Sequence, residues 1–250
     1  MSHPHGTFCF GELNTHDVEL AQRFYGSVLG WNAVDAPTPD AGYRLFQLRG
    51  QDVAGLRLAK GATRWVPYLG VDNVDRVVAR AQELRASLVS APFDVSGLAR
   101  KALVTDPAGG VVGLWEPRGH DGAALLDQPG SMWWAELLTR DVQSAKSFYA
   151  ALLGWKAVDT LKYGIHYSVF KLGDASVAGL LPIRADWGPV SPYWQILFAV
   201  EDCDAAVERA TSAGGSLVFG PNDIPNAGRA AIISDPGGAI FVVMRPLPGT

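Results

Sequence analysis

Two glutamates stand where an apolar strand would place aliphatic side chains. Glu12 lies in "CFGELNTHDVELAQRFYGSVLGW", residues 9–31, and Glu136 in "WWAELLTRDVQSAKSFYAALLGW", residues 133–155. A carboxylate in such a strand is partly desolvated, which raises its pKa and suits it to act as a general acid or base. The same charge among tryptophan and phenylalanine faces can hold a cation, since cation–π contacts contribute about 0.5–2 kcal/mol. A third reading is structural: Glu12 and Glu136 pair with an arginine such as Arg100 or Arg229, or accept backbone N–H groups, as scaffold common to both segments. All three readings stay open at this level.

Strand alternation gives each glutamate its neighbours. Phe8, Phe10, Glu12 and Asn14 share one face, and Cys9, Gly11, Leu13 and Thr15 the other. In the second segment Met132, Trp134, Glu136 and Leu138 share the corresponding face. The candidate ligand-binding residues are therefore Phe10, Asn14, Tyr68 and Trp115 around Glu12, and Trp134, Gln195 and Met244 around Glu136. Apolar walls with a few directed polar groups are the usual anatomy of a small-molecule pocket. The first concavity is crowded by bulky aromatics, whereas Leu138, Leu197, Ala199 and Ile240 give the second a smoother wall. The second is thus expected to be the one that binds, with Trp187 as its lid.

The elements that must position these residues are written as a repeat. Asp17, Phe24, Tyr25, Gly30 and Trp31 recur 124 positions later as Asp141, Phe148, Tyr149, Gly154 and Trp155, and Ala54-Gly55-Leu56 recurs as Ala178-Gly179-Leu180. Further on the offset is 129: Trp65 recurs as Trp194, Arg100 as Arg229, and Asp106-Pro107 as Asp235-Pro236. The second copy therefore carries five extra residues within "LPIRADWGPVSPY", which contains Trp187. Val18, Ala21, Tyr25 and Val28 follow helical spacing, with Asp17 as N-cap and Gly30 as stop. Val74, Val77, Ala81 and Leu84 do so after Asn73, and Cys203, Ala206, Val207 and Ala210 after Asp202. Each helix follows a strand and precedes several short ones, with "DPAGG" and "DPGGA" turns. Trp31, Trp65, Trp155 and Trp194 read as core. Asp106 and Asp235 read as turn formers, with Arg100 and Arg229 bracing those turns.

The pattern "ELxTxD…A…FY…LGW", then "W…V…D", then "GRxxxxxDPxGA", resembles the glyoxalase, bleomycin-resistance and extradiol-dioxygenase group, the vicinal oxygen chelate superfamily. That resemblance implies an α+β protein of two tandem glyoxalase-like modules, each of two βαβββ units forming curved mixed sheets around a cup. Module 1 is expected over residues 1–117, a linker over 118–130 in the Pro-, Gly- and Asp-rich "PRGHDGAALLDQPG", and module 2 over 131–250. Members of the superfamily usually hold one divalent metal per cup on His, Gln or Glu. The resemblance places those ligands at Phe10, Val66 and Gly113 in the first module and at Trp134, Gln195 and Val242 in the second. Only Gln195 carries a side-chain oxygen donor, too few for a site that needs three or four. The expectation is therefore no metal and no other cofactor.

Composition narrows the partners. The chain has 250 residues, 48% hydrophobic and 18% charged, with a net charge of −4. Without a basic run it offers nucleic acid little to hold. No stretch approaches the roughly 20 apolar residues that span a bilayer. The start "MSHPHGTFCF" has no cationic and long apolar regions of a signal peptide, and the two cysteines, Cys9 and Cys203, read as buried free thiols. A cytoplasmic protein is expected, a monomeric pseudo-dimer or a homodimer. Its reading is a metal-free protein binding a hydrophobic or cationic small molecule in aromatic-lined cups, as bleomycin-resistance members do. The alternatives are a cofactor-independent isomerase, lyase or cyclase using Glu12 or Glu136, and a metal-dependent glyoxalase or dioxygenase.

Overall fold

The α-helices start where a short acceptor side chain caps them. The carboxylates of Asp17, Asp141 and Asp202 and the amide oxygen of Asn73 each accept the backbone N–H three residues on, satisfying one of the donors a first turn leaves open. Gly30 and Gly154 end the two longer helices in the left-handed conformation, at φ 75° and 73°, which glycine adopts without a Cβ clash.

The computed structural model describes residues 3–38, 42–162 and 165–248. The first module contains β1 (Phe8–Thr15), α1 (Val18–Leu29), β2 (Asn32–Asp35), β3 (Tyr43–Leu48), β4 (Gln51–Leu58), β5 (Arg64–Gly70), α2 (Val74–Glu83), β6 (Ser87–Val95), β7 (Ala99–Thr105) and β8 (Val111–Pro117). The second repeats that order with β9 (Met132–Thr139), α3 (Val142–Leu153), β10 (Lys156–Lys162), β11 (Ile165–Leu172), β12 (Ala175–Pro182), β13 (Tyr193–Ala199), α4 (Cys203–Ser212), β14 (Ser216–Ile224), β15 (Gly228–Ser234) and β16 (Ile240–Pro246). Each module forms one eight-stranded mixed sheet, in the orders β2-β3-β4-β1-β5-β8-β7-β6 and β10-β11-β12-β9-β13-β16-β15-β14. The α+β class and the two tandem βαβββ pairs are as the repeat predicts.

Packing groups the chain differently from the sheets. One compact unit comprises Met1–Cys9, Pro67–Gly122 and Trp134–Gln195; the other comprises Phe10–Val66, Ala123–Trp133 and Ile196–Thr250. Each unit thus takes one βαβββ half from each module.

In the first unit Tyr149 of α3 stacks on Trp155, with ring centroids 5.0 Å apart, and meets Trp194 edge-on at 5.5 Å. Trp194 Nε1 donates to the Tyr149 hydroxyl at 2.9 Å, and that hydroxyl donates to Asp106 Oδ2 at 2.6 Å. The second unit builds the same triad: Trp65 Nε1 donates to the Tyr25 hydroxyl at 2.8 Å, which donates to Asp235 Oδ2 at 2.9 Å. Asp106 and Asp235 do shape their turns, accepting from Gly110 N at 3.0 Å and from Ala239 N at 2.8 Å. Their second role, fastening a tyrosine from the other module, is an addition to the sequence reading. Burial raises both carboxyl pKa values, and the hydrogen bonds oppose that rise.

Two expectations are corrected. Arg100 and Arg229 brace neither the turns nor the glutamates. Arg100 makes a paired contact with Asp75 of α2, at 2.7 and 2.9 Å, and Arg229 does so with Asp204 of α4, at 2.6 and 2.8 Å. A guanidinium matches a carboxylate with two parallel N–H donors, so an acid in the first turn of the adjacent helix captures it. Phe8, the first residue of its strand, packs against Trp155 and Trp194, at 6.2 and 5.0 Å, rather than lining a cup with Phe10. The four repeat tryptophans are core, and Cys9 and Cys203 are buried free thiols.

Candidate ligand site

Glu136 sits at the centre of a hydrogen-bonded cluster held by three strands. On β9, it lies opposite Gly179 of the parallel strand β12. Gly179 leaves open a space into which Tyr167 of β11 brings its phenol. A Cβ at position 179 would run into the Tyr167 hydroxyl and come within 2.8 Å of both Glu136 Cβ and Trp134 Nε1. That is why the repeated Ala-Gly-Leu carries a glycine here.

The hydrogen bonds all point inward. Tyr167 donates its hydroxyl proton to Glu136 Oε2 at 3.1 Å, and Trp134 Nε1 donates to the Tyr167 oxygen at 3.1 Å. From the other side Gln195 Nε2 donates to Glu136 Oε1, while the Tyr193 hydroxyl donates to Gln195 Oε1 at 3.1 Å. Two arms of donors therefore converge on one carboxylate, an arrangement that suits a group able only to accept. Burial raises the Glu136 pKa, and the bonds from Gln195 and Tyr167 oppose the rise. Burial and the Glu136 charge push Tyr167 well above the ordinary phenol range and Tyr193 up to about 12, so both stay protonated donors at neutral pH. Gln195 is buried, but Trp134, Glu136, Tyr167 and Tyr193 all keep part of their surface in solvent.

The counterpart around Glu12 is closed. Glu12 is 0% exposed, lies opposite Gly55 of β4, and accepts from Asn14 Nδ2 at 3.4 Å. A Cβ at Gly55 would meet the Tyr43 hydroxyl at 2.7 Å, Phe10 Cε1 at 3.0 Å and Glu12 Cγ at 3.3 Å. Phe10, Glu12 and Asn14 belong to the second compact unit, and Tyr68 and Trp115 to the first. There Tyr68 packs over Gly113, where any Cβ would enter its ring, and meets Trp115 edge-on at 5.7 Å. Trp115 Nε1 donates to the His120 carbonyl at 2.9 Å. Phe10, Tyr68 and Trp115 are fully buried.

Of the expected site residues, Trp134, Glu136 and Gln195 come together. Met244 is buried on β16 opposite Ala230, in the second unit. Trp187 ends a short 3-10 turn, Ala185–Trp187, and is 38% exposed. Arg140 holds that loop by donating to the Gly188 and Val190 carbonyls at 2.7 and 2.6 Å. The insertion's contribution to the cluster is Tyr193, at its end. Sequence reasoning missed Tyr167, Tyr193 and Gly179. Tyr43 and Tyr167 stand at the same 124-residue offset as the two glutamates, which was the available signal.

The ligand columns inherited from the fold do not suit a divalent ion. Phe10, Val66, Gly113, Trp134 and Val242 supply no anionic or imidazole donor, and Gln195 turns its amide nitrogen toward Glu136 while its oxygen accepts from Tyr193. Among the described residues no group of three or more His, Cys, Asp or Glu side chains is placed to hold a metal. Among the described residues no helix is long and apolar enough to cross a membrane.

Comparison with known proteins agrees with the fold. Residues 11–114 match the glyoxalase-like domain family, and residues 131–243 match the Glyoxalase/Bleomycin resistance protein/Dioxygenase superfamily. The protein named "Putative glyoxylase CFP32" of Mycobacterium tuberculosis is 37% identical over 97% of this chain and 96% of its own. "Anthracycline biosynthesis protein DnrV" of Streptomyces peucetius is 35% identical over 94% of this chain and 91% of its own. The crystal structure of an Mn(II)-bound glyoxalase from Novosphingobium aromaticivorans shares the fold, with a TM-score of 0.69 at 19% identity over 96% of this chain and 82% of that one. The chain belongs to the glyoxalase/bleomycin resistance protein/dioxygenase superfamily.

Proposed function

We propose that the second module binds a small molecule at Glu136, without a metal ion, and that the first module has become scaffold. The observation that carries this reading is the contrast between the two glutamates. Glu136 is partly exposed at the focus of converging neutral donors, and Glu12 is fully buried. A carboxylate with two oxygens has lone pairs beyond those used by Gln195 and Tyr167, and these can accept a donor from a ligand. The rings of Trp134, Tyr167 and Tyr193 offer partly exposed aromatic surface, which favours a flat apolar body. Two relatives are named for anthracycline biosynthesis, and anthracyclines are flat fused-ring compounds. A ligand of that shape fits the site's chemistry.

Titrating the intact chain with an anthracycline aglycone, followed by tryptophan fluorescence, tests the reading. One site per chain is expected, and Glu136→Gln should weaken it by roughly 1.5–3 kcal/mol, the worth of a hydrogen bond to a charged group. Unchanged affinity in that variant would remove Glu136 from the site.

A second reading draws on the same pair of groups. A carboxyl with a raised pKa beside a phenol can pass a proton to or from a bound carbonyl compound. On that reading Glu136→Gln abolishes turnover while affinity stays within several-fold, the reverse of the binding case.

A further inference from the structure

The sheet face that carries Glu136 does not end at Tyr167. The strands β10, β11, β12 and β9 are neighbours, and one row of directly opposed residues crosses all four: Val158, Val169, Gly179 and Glu136. Alternation along each strand keeps such a row on one side of the sheet. The other side belongs to α3. Lys146 of that helix holds Asp159 at 2.5 Å, Ser168 donates to Asp159 at 2.6 Å, and Phe170 meets Tyr149 at 5.7 Å. Val158 and Val169 therefore lie on the Glu136 side.

That row is apolar and wet. Val158 is 48% exposed, Val169 is partly exposed, and so is Leu181, two residues along β12 from Gly179 on the same face. The matching row of the first module is Val34, Leu45, Gly55 and Glu12. There Leu45 is 3% exposed and Tyr43 is buried as well, leaving only the edge residue Val34 in solvent. The edge strand differs too: β2 ends at Asp35 after four residues, whereas β10 runs for seven to Lys162. Apolar side chains left in water beside a few directed polar groups are the surface that a ligand's apolar body covers.

The polar end has one kind of vacancy. Trp134 donates to the Tyr167 oxygen, Tyr167 to Glu136, and Tyr193 to Gln195. The carboxylate offers further lone pairs, so the partner it can take is a donor. A hydroxyl fills that role and brings no charge that must be stripped of water.

We infer that the Glu136 site continues past Gly179 and Val169 to the edge strand β10 and takes an elongated ligand, with a hydroxyl at Glu136 and an apolar body laid across the strands to Val158. Three strand spacings of about 4.8 Å put Val158 roughly 14 Å from Glu136, beyond the reach of a single ring. The inference rests on the reading of Glu136 as a small-molecule site and adds to it a length and a polar end.

Two phenols that differ only in their tails test it by titration calorimetry on the intact chain: 4-ethylphenol, which spans the Glu136 end, and 4-heptylphenol, which reaches β10. The longer phenol should bind once per chain and at least about thirtyfold tighter, since each methylene it buries is worth up to roughly fourfold. Val158→Asp should weaken 4-heptylphenol about tenfold and leave 4-ethylphenol unchanged. Leu161→Asp places the same charge on the same strand but on its other face, where Leu161 is 65% exposed, and should leave both affinities at parent values. Glu136→Gln should weaken both phenols. Equal affinities for the two phenols, both still weakened by Glu136→Gln, would overturn the extended site and leave the Glu136 site standing. Binding of neither would overturn both. A loss of 4-heptylphenol affinity in Leu161→Asp as large as in Val158→Asp would also overturn the inference. So would sedimentation showing a dimer for the parent and a monomer for Val158→Asp, which would assign the strip to a second copy of the chain.

Discussion

At the scale of single residues, the chemistry turns on a carboxylate that two arms of neutral donors hold in a half-buried place. Glu136 keeps its proton more tightly in the folded chain than in the unfolded one. Its contribution to stability is therefore fully present below the unfolded carboxylate range, about 4.3, and is lost as pH rises through its raised folded value. Glu136→Gln removes that slope. Thermal melts at several pH values should show the variant gaining stability relative to the parent across that window and then levelling off. A relative stability that falls with rising pH would contradict the raised pKa. Gly179 makes a second prediction. Gly179→Ala places a methyl against the Tyr167 hydroxyl and the Glu136 stem, an overpacking that typically costs about 1–3 kcal/mol, measurable by urea unfolding. It should weaken ligand binding as well, because Tyr167 must leave Glu136. Both glutamates were legible in the sequence, since an acid in an apolar strand is conspicuous. Tyr167 was not, because an aromatic in a strand reads as packing until the register with Gly179 shows where its hydroxyl lies.

At the scale of elements, the caps and helical spacings were readable because they are local. Asp17, Asn73, Asp141 and Asp202 each accept the N–H their position calls for. The triads Trp65–Tyr25–Asp235 and Trp194–Tyr149–Asp106 were hidden, because they join residues 210 and 43 positions apart at the tyrosine–aspartate step. Turn chemistry alone accounts for Asp106 and Asp235, and nothing local signals a second duty. Tyr149→Phe removes the donor to buried Asp106 and the acceptor of Trp194 Nε1, so it should cost roughly 1.5–3 kcal/mol. Tyr25→Phe should cost a comparable amount, since Asp235 and Trp65 lose the same partners. Chemical denaturation of the two single variants checks this. A loss below about 0.5 kcal/mol in either would mean that the triad hydrogen bonds are replaced by solvent and do not fasten the halves.

At the scale of the whole molecule, duplication explains the architecture and divergence explains the site. The repeat, the α+β class and two tandem modules were legible from offsets of 124 and 129 residues. The division into compact units was not, because each unit takes one half of each module and that depends on tertiary packing between distant segments. The chain has matching Glu–Gly–Tyr sets at Glu12, Gly55 and Tyr43 and at Glu136, Gly179 and Tyr167, with Glu12 fully buried and Glu136 partly exposed. Carboxyl-labelled glutamate NMR tests this account most directly, with Glu136→Gln used to assign its signal. In the free protein the Glu136 carboxyl should titrate above the ordinary carboxylate range. An anthracycline aglycone should then shift the Glu136 signal and leave that of Glu12 in place. A bound ligand that moves Glu12 alone, or that leaves Glu136 unmoved, would contradict the account.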